Sequence, residues 1–224
     1  MRPLLTTLIL FFAAATLWAQ HPGAQLPGYP GQPVRGYFQP VKIDGPEGTK
    51  IAFAVDGKFV SRQNVPHVVG LLLAADYRLR ITDIPFHPGM EVFPTVKIIG
   101  RTFPPQGLEL EFPIRIDLTL EDLELALDGK FVTRVIYLEN PQNALPIPVT
   151  PETPLFIDVS GGADPLDVAA MRGRPVAIVR IGGRVPDLNV VDPMFFHGCP
   201  PWIAVDKTPQ GGYAITRYQN TVLR

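Results

Sequence analysis

The sequence predicts a mainly β fold: an antiparallel immunoglobulin-like sandwich with two short helices and a small strand–helix–strand appendage. Three observations carry that expectation. Apolar and polar residues alternate strictly over several runs, 26 prolines punctuate the chain outside any low-complexity tract, and turn signals recur between the runs. Alternation sends successive side chains to opposite faces, so that one face packs and the other stays wet. Proline at that density suits many short strands joined by stiff turns.

The elements follow in chain order. Residues 1–19 read as an export signal: Arg2, an apolar run from Leu4 to Ala15 broken by Thr6 and Thr7, then small residues leading to a cut after Ala19. The run is short for a membrane span, so none is expected in the mature chain. Leu17 is larger than the ideal residue before such a cut, which leaves an uncleaved anchor as the alternative. Residues 20–36 form a Pro/Gly-rich linker expected to run extended.

The sandwich is expected over 37–150. Its strands are "VKI" (41–43), "IAFAV" (51–55), "YRLRIT" (77–82), "FPTVKII" (93–99), "LELEFPIRIDL" (108–118) and "FVTRVIYLE" (131–139), with "GPEG", "HPG" and "PPQG" as turns between them. The 108–118 run alternates over its whole length. One helix starts at Thr119, a good cap, with Asp122 three residues on in a box-like pairing. The second has Asp164 as cap, Pro165 at its first position, Asp167 near the positive end of the dipole and Gly173 as terminator. With the strand "RPVAIVRIGG" (174–183) it makes the small unit 151–186. Residues 187–224 form a tail without clear periodicity.

A heptapeptide occurs twice: "DGKFVSR" at 56–62 and "DGKFVTR" at 128–134. A strand precedes the first copy, so Asp56-Gly57 reads as a hairpin turn. A helix precedes the second, so Gly129 reads as its left-handed terminator. The same words leaving different elements argue for turns rather than a shared site. Duplication of modules at about 41–113 and 114–186 is the alternative. "VKID" (41–44) matches "IRID" (114–117), and "PTVKIIGRTFP" (94–104) matches "PVAIVRIGGRVP" (175–186), in the same order.

The chemistry narrows by elimination. A formal net charge of −1 offers no footprint for nucleic acid. The single cysteine, Cys199, excludes an internal disulfide framework. "SGGAD" (160–164) lacks the Lys and the spacing of a phosphate loop, and neither serine, Ser61 or Ser160, lies in a nucleophile elbow. His21, His67, His87 and His197 are scattered without zinc spacing. Glu109 and Glu111 would lie roughly 7 Å apart on one strand face, and they read as solvated partners of Arg78 and Arg80. "FFHGCPPW" (195–202) sets His197 and Cys199 two apart, a candidate metal or nucleophile–base pair. Cys199 itself reads first as a buried packing residue, with pairing between chains and that chemistry as the alternatives.

The run from "GPEG" through "YRLRITDIP", "GMEVFPTVKIIGRTFPP" and "EFPIRIDLTLEDLELALDGKFVTRVIYLENPQNALP", with "GADPLDVAAMRGRPVAIVRIGGRVP", resembles a group of uncharacterised exported proteins of planctomycete-type bacteria. The resemblance covers about 37–186 and implies export without an assigned activity. "FIDVSGGADPLDVAAMRG" is also similar to the start of a LysM glycan-binding module, which implies Asp164 and Asp167 as glycan contacts. A LysM module would continue into a second helix, where this chain has "PVAIVRI". The expected function is that of an exported, non-enzymatic structural or protein-interaction protein of the cell envelope. It needs no cofactor, and its partner is an envelope protein or cell-wall component. The alternatives are glycan binding through 155–183 and a metal- or thiol-dependent enzyme at His197 and Cys199.

Overall fold

Short strands dominate, as the alternation requires. Among the described residues the order is β1 (Phe38–Asp44), β2 (Lys50–Val55), β3 (Lys58–Phe59), β4 (Gln63–Asn64), β5 (His67–Leu72), β6 (Asp76–Thr82), β7 (Thr95–Ile98), β8 (Ile114–Asp117), α1 (Leu120–Leu127), β9 (Val132–Glu139), α2 (Pro165–Arg172), β10 (Gly173–Ile181), β11 (Trp202–Lys207) and β12 (Tyr213–Gln219). The computed structural model describes residues 36–142, 144, 156–159, 161–187, 190, 192–208 and 212–219. The expected export signal, and the expected linker apart from Gly36, lie outside them. Among the described residues no helix is long and apolar enough to cross a membrane.

The strands gather into two sheets, ordered β12-β11-β5-β1-β8 and β3-β2-β6-β7-β10-β9, with β4 pairing β2. The pairings are antiparallel except for β1 with β8. Both sheets feed one core. Val41, Ile43 and Ile116 from the first and Phe53, Leu79 and Val179 from the second are each at most 1% exposed. Burying such a side chain fully contributes about 1.5–3 kcal/mol. The rings of Phe53 and Trp202 bring β2 and β11 together at 4.8 Å between centroids. The mainly β, sandwich-like expectation therefore holds.

The two heptapeptides form two different turns. Asp56 and Gly57 both take left-handed backbone, φ 50° and 73°, between Val55 and Lys58, which pair as the ends of β2 and β3. Two left-handed central residues are what a tight hairpin turn matching the strand twist demands. In the second copy Gly129, at φ 78°, closes α1. The Gly129 N–H donates to the Ala126 carbonyl and the Lys130 N–H to the Leu125 carbonyl, satisfying the last carbonyls of the helix.

The matched strands are direct neighbours. β1 runs parallel to β8 with Lys42 opposite Arg115 and Asp44 opposite Asp117, the register in which "VKID" aligns with "IRID". β7 runs antiparallel to β10 with Val96 opposite Val179, the two residues that align when the Gly-Arg dipeptides of the two segments are matched. An approximate internal two-fold would place them so. The intervening elements differ, since β2 precedes the first heptapeptide and α1 the second.

Four expectations change. Residues 108–118 are not one strand: only Ile114–Asp117 is β, while Leu108 N–H bonds Pro105 O and Glu111 N–H bonds Leu108 O in successive turns. Prolines at 104, 105 and 113 remove ladder donors, and turns accommodate the alternation equally well. Arg78 and Arg80 accordingly do not pair with Glu109 and Glu111. Arg80 binds Glu91, and Arg78 binds backbone carbonyls and His197. The segment 151–186 contributes α2 and β10, and β10 lies inside the second sheet between β7 and β9. The tail supplies β11 and β12 to the first sheet, so both segments belong to the same unit as the sandwich, Pro33–Arg224. Finally, Gly173 ends α2 in extended backbone rather than the left-handed region. Glycine is needed there because a Cβ would run into the Leu138 carbonyl as the chain enters β10.

Candidate functional site

The segment with His197 and Cys199 folds around its own turn. Asp192 opens it, its carboxylate accepting from Met194 N–H and its carbonyl from Phe195 N–H. His197, Gly198 and Cys199 follow with φ of 51°, 70° and 48°. Phe195, Phe196 and Cys199 are thereby buried with Ala54 and Phe93, and Phe59 packs against them. Ala54 neighbours Phe53 along β2 and so points to the opposite face, away from the main core. Phe195 meets Phe93 at 5.7 Å and Phe196 at 5.2 Å, both edge to face.

Within this clamp the thiol and the imidazole turn to different partners. Cys199 Sγ accepts a hydrogen bond from Gly57 N–H at 3.2 Å, so the first heptapeptide turn is pinned by the cysteine segment. Burial pushes the Cys199 thiol above its usual range, with the Asp56 charge adding to the rise and the Gly57 bond opposing it. A thiol kept protonated is a poor nucleophile and a poor ligand. His197 Nε2 lies 3.3 Å from Arg78 Nη2 and 3.5 Å from Thr95 Oγ1. Burial, then the Arg78 charge, hold the imidazole below its usual value. Among the described residues no three His, Cys, Asp or Glu side chains are placed to hold a metal.

Arg78, expected on a solvated strand face, is the centre of the clamp. It donates to Phe195 O at 3.0 Å and to Phe93 O at 2.8 Å, and its guanidinium lies 4.6 Å from the Phe195 ring centre. Cys199 should therefore resist a thiol reagent in native protein and react on unfolding, on the time course of global opening. Rapid labelling of the native protein would overturn the packing role.

Asp164 and Asp167 serve α2. The Asp164 carboxylate accepts from Leu166 N–H at 2.8 Å as the cap, and Asp167 sits in the first turn. The cleft nearby is formed by other residues. A space of about 360 Å³ lies between α2, residues 156–159 and β9, with Phe156, Tyr137 and Arg172 on its walls. A second of about 270 Å³ lies between β8 and β9, and Phe156 and Arg134 border both.

A third surface gathers along residues 101–113. The buried Gln39 pins it, donating from Nε2 to Thr102 Oγ1 and accepting from Thr102 N–H, each at 2.9 Å. On either side Phe103 and Phe112 are 57% and 53% exposed. They line an open groove of about 430 Å³ with Pro104, Pro105, Pro113 and Leu138. The Arg101 guanidinium lies 3.6 Å from the Tyr37 ring centre and 5.3 Å from that of Phe103, and Arg174 lies 5.0 Å from Phe103. The turns that expose this surface are the ones the alternation at 108–118 disguised. No family model, curated protein or solved structure matches this chain.

Proposed function

We propose that the chain is an exported, non-enzymatic protein of the cell envelope that binds another envelope component through the face carrying Phe103 and Phe112. The observation that carries the reading is the pair of phenylalanines, each more than half exposed, in a proline-walled groove on a pinned segment. Exposed aromatic surface of this kind is retained where it is covered by something else. Arg2 and the apolar run to Ala15 support export. The packing of Cys199 and the engagement of His197 with Arg78 support a non-catalytic role. A second reading, cell-wall glycan binding through 155–183, draws support from the cleft beside α2, where Phe156 and Tyr137 offer ring faces.

Photo-cross-linkers at Phe112, Phe156 and Phe86 in the native host separate these readings. Phe86 is 86% exposed and lines none of the three spaces, so it serves as the control. A discrete protein adduct at Phe112 alone is expected. Wall fragments captured at Phe156 would favour the glycan reading, and equal labelling at all three positions would remove both.

A further inference from the structure

We infer that the groove between Phe103 and Phe112 takes an extended, proline-rich peptide segment of another protein, and that Arg101 selects a carboxylate beside it. The inference rests on the protein-interaction reading and specifies its ligand.

Among the described arginines Arg101 is the one with a buried nitrogen that has no partner. Arg80, Arg134 and Arg184 each bond a carboxylate, and Arg78 bonds two carbonyls. Arg101 Nε is buried with no hydrogen-bond partner, and among the described residues Arg101 forms no ion pair. Tyr37 and Phe103 hold its guanidinium from the sides. The rings position the group, and with Nε turned inward the two Nη groups, unpartnered among the described residues, are the donors left for a ligand. A planar, pre-positioned guanidinium is matched by a carboxylate, which it binds in bidentate fashion.

The groove supplies the rest of the specificity. Its walls are two aromatic rings, three prolines and Leu138, open along one side rather than closed over a small molecule. Flat pyrrolidine rings fit between exposed aromatic rings, and a polyproline helix offers carbonyls with no internal partners. Such a segment is already extended, so docking it costs little conformational entropy. Glu111 lines the groove and repels a carboxylate there, while Arg101 stands against Phe103 just outside the lining, so the acidic residue of the ligand is placed beyond Phe103.

The test is selection of displayed random dodecapeptides on the full chain, followed by titration of the winners against wild type, Arg101→Gln, Arg101→Lys and Phe112→Ser. All variants are first shown to unfold at the wild-type midpoint. Enriched peptides should carry Asp or Glu within a few residues of a proline pair and shift the amides of Thr102, Phe103 and Leu138. Phe112→Ser should weaken them about tenfold or more. Arg101→Gln should abolish the advantage of the acidic peptide over its Gln twin, about tenfold for a charged hydrogen bond. Arg101→Lys, which keeps charge without the planar fork, should recover only part of it. Peptides without acidic bias, peptides indifferent to Arg101, or an absence of enrichment would overturn the inference. If that happens while the Phe112 cross-link persists, the protein-interaction reading survives with a different ligand. If the cross-link is also absent, both fall.

Discussion

Arg134→Met is expected to destabilise the protein by about 3–5 kcal/mol, the cost of leaving a buried charge without its partner. The reason lies in Asp122, whose side chain is fully buried while that of Arg134 is 26% exposed. Asp122 Oδ1 accepts from Arg134 Nη2 at 2.7 Å and from Nε at 3.1 Å, which ties the first turn of α1 to β9. The sequence pattern sets Asp122 in a box with the Thr119 cap. Half of that box forms, since Thr119 Oγ1 accepts from Asp122 N–H, but the carboxylate goes to Arg134 instead. Replacing both residues, Asp122→Leu with Arg134→Met, should recover most of the loss, because the desolvation cost of the pair disappears with the pair. Arg62 is the matched residue of the first heptapeptide. Its pairing with Asp83 is long, 4.0 Å, and both side chains are more than 40% exposed. Arg62→Met should therefore leave the urea midpoint unchanged. Equal effects at the two positions would mean that the buried pair is not what holds α1.

That contrast shows where sequence reading succeeds. β6 announces itself by a dry face and a wet face, while β2, β9 and β10 were legible as short apolar or β-branched runs bounded by turn and helix-end signals, as were the N-caps of both helices. The two heptapeptide turns were legible because a left-handed glycine has few uses after a strand or a helix. β5 was not, since "HVVGLL" packs between β1 and β11 and shows no alternation. β11 and β12 were hidden for a related reason: their pairing is bent by a register shift between Ala204 and Val205, which breaks the period. The candidate surfaces were harder still. Phe103 and Phe112 line one groove across the turns between them, and Gln39, some sixty positions away, pins Thr102 beside it. Arg78 and His197 meet across 119 positions. No spacing rule carries such contacts. β1 pairs in register with β8 and β7 with β10, as an internal duplication would leave them, while β2 and α1 differ and Arg62 and Arg134 hold different partners.

Acid is expected to weaken the protein through two histidines. Burial lowers the pKa of His67, with the Asp206 charge pulling the other way, and its Nε2 is buried without a hydrogen-bond partner. At His197 burial acts first and Arg78 second; Asp76 opposes them, while Arg184 and Lys97 reinforce them. In both cases the folded state binds its proton less readily than the unfolded chain, whose histidines titrate near 6.5. The stabilisation is fully present above that value and is lost as pH falls through the lower folded pKa values. The slope is bounded at about 1.4 kcal/mol per pH unit for each histidine. Asp83, held below its usual value first by the hydrogen bond from Lys50, titrates at still lower pH and leaves this window clean. Protonating His197 also sets a cation against Arg78 in place of an acceptor, so the Phe195–Cys199 turn should loosen before the sandwich does. Urea titrations between pH 8 and pH 5 should show the decline, and exchange at the Gly57 amide, which donates to Cys199, should quicken beyond its intrinsic pH dependence. His197→Gln keeps a neutral acceptor toward Arg78 and should flatten the amide response while leaving the part due to His67. A pH profile unchanged in His67→Gln/His197→Gln would place the acid sensitivity elsewhere and remove the imidazole–guanidinium contact as its cause.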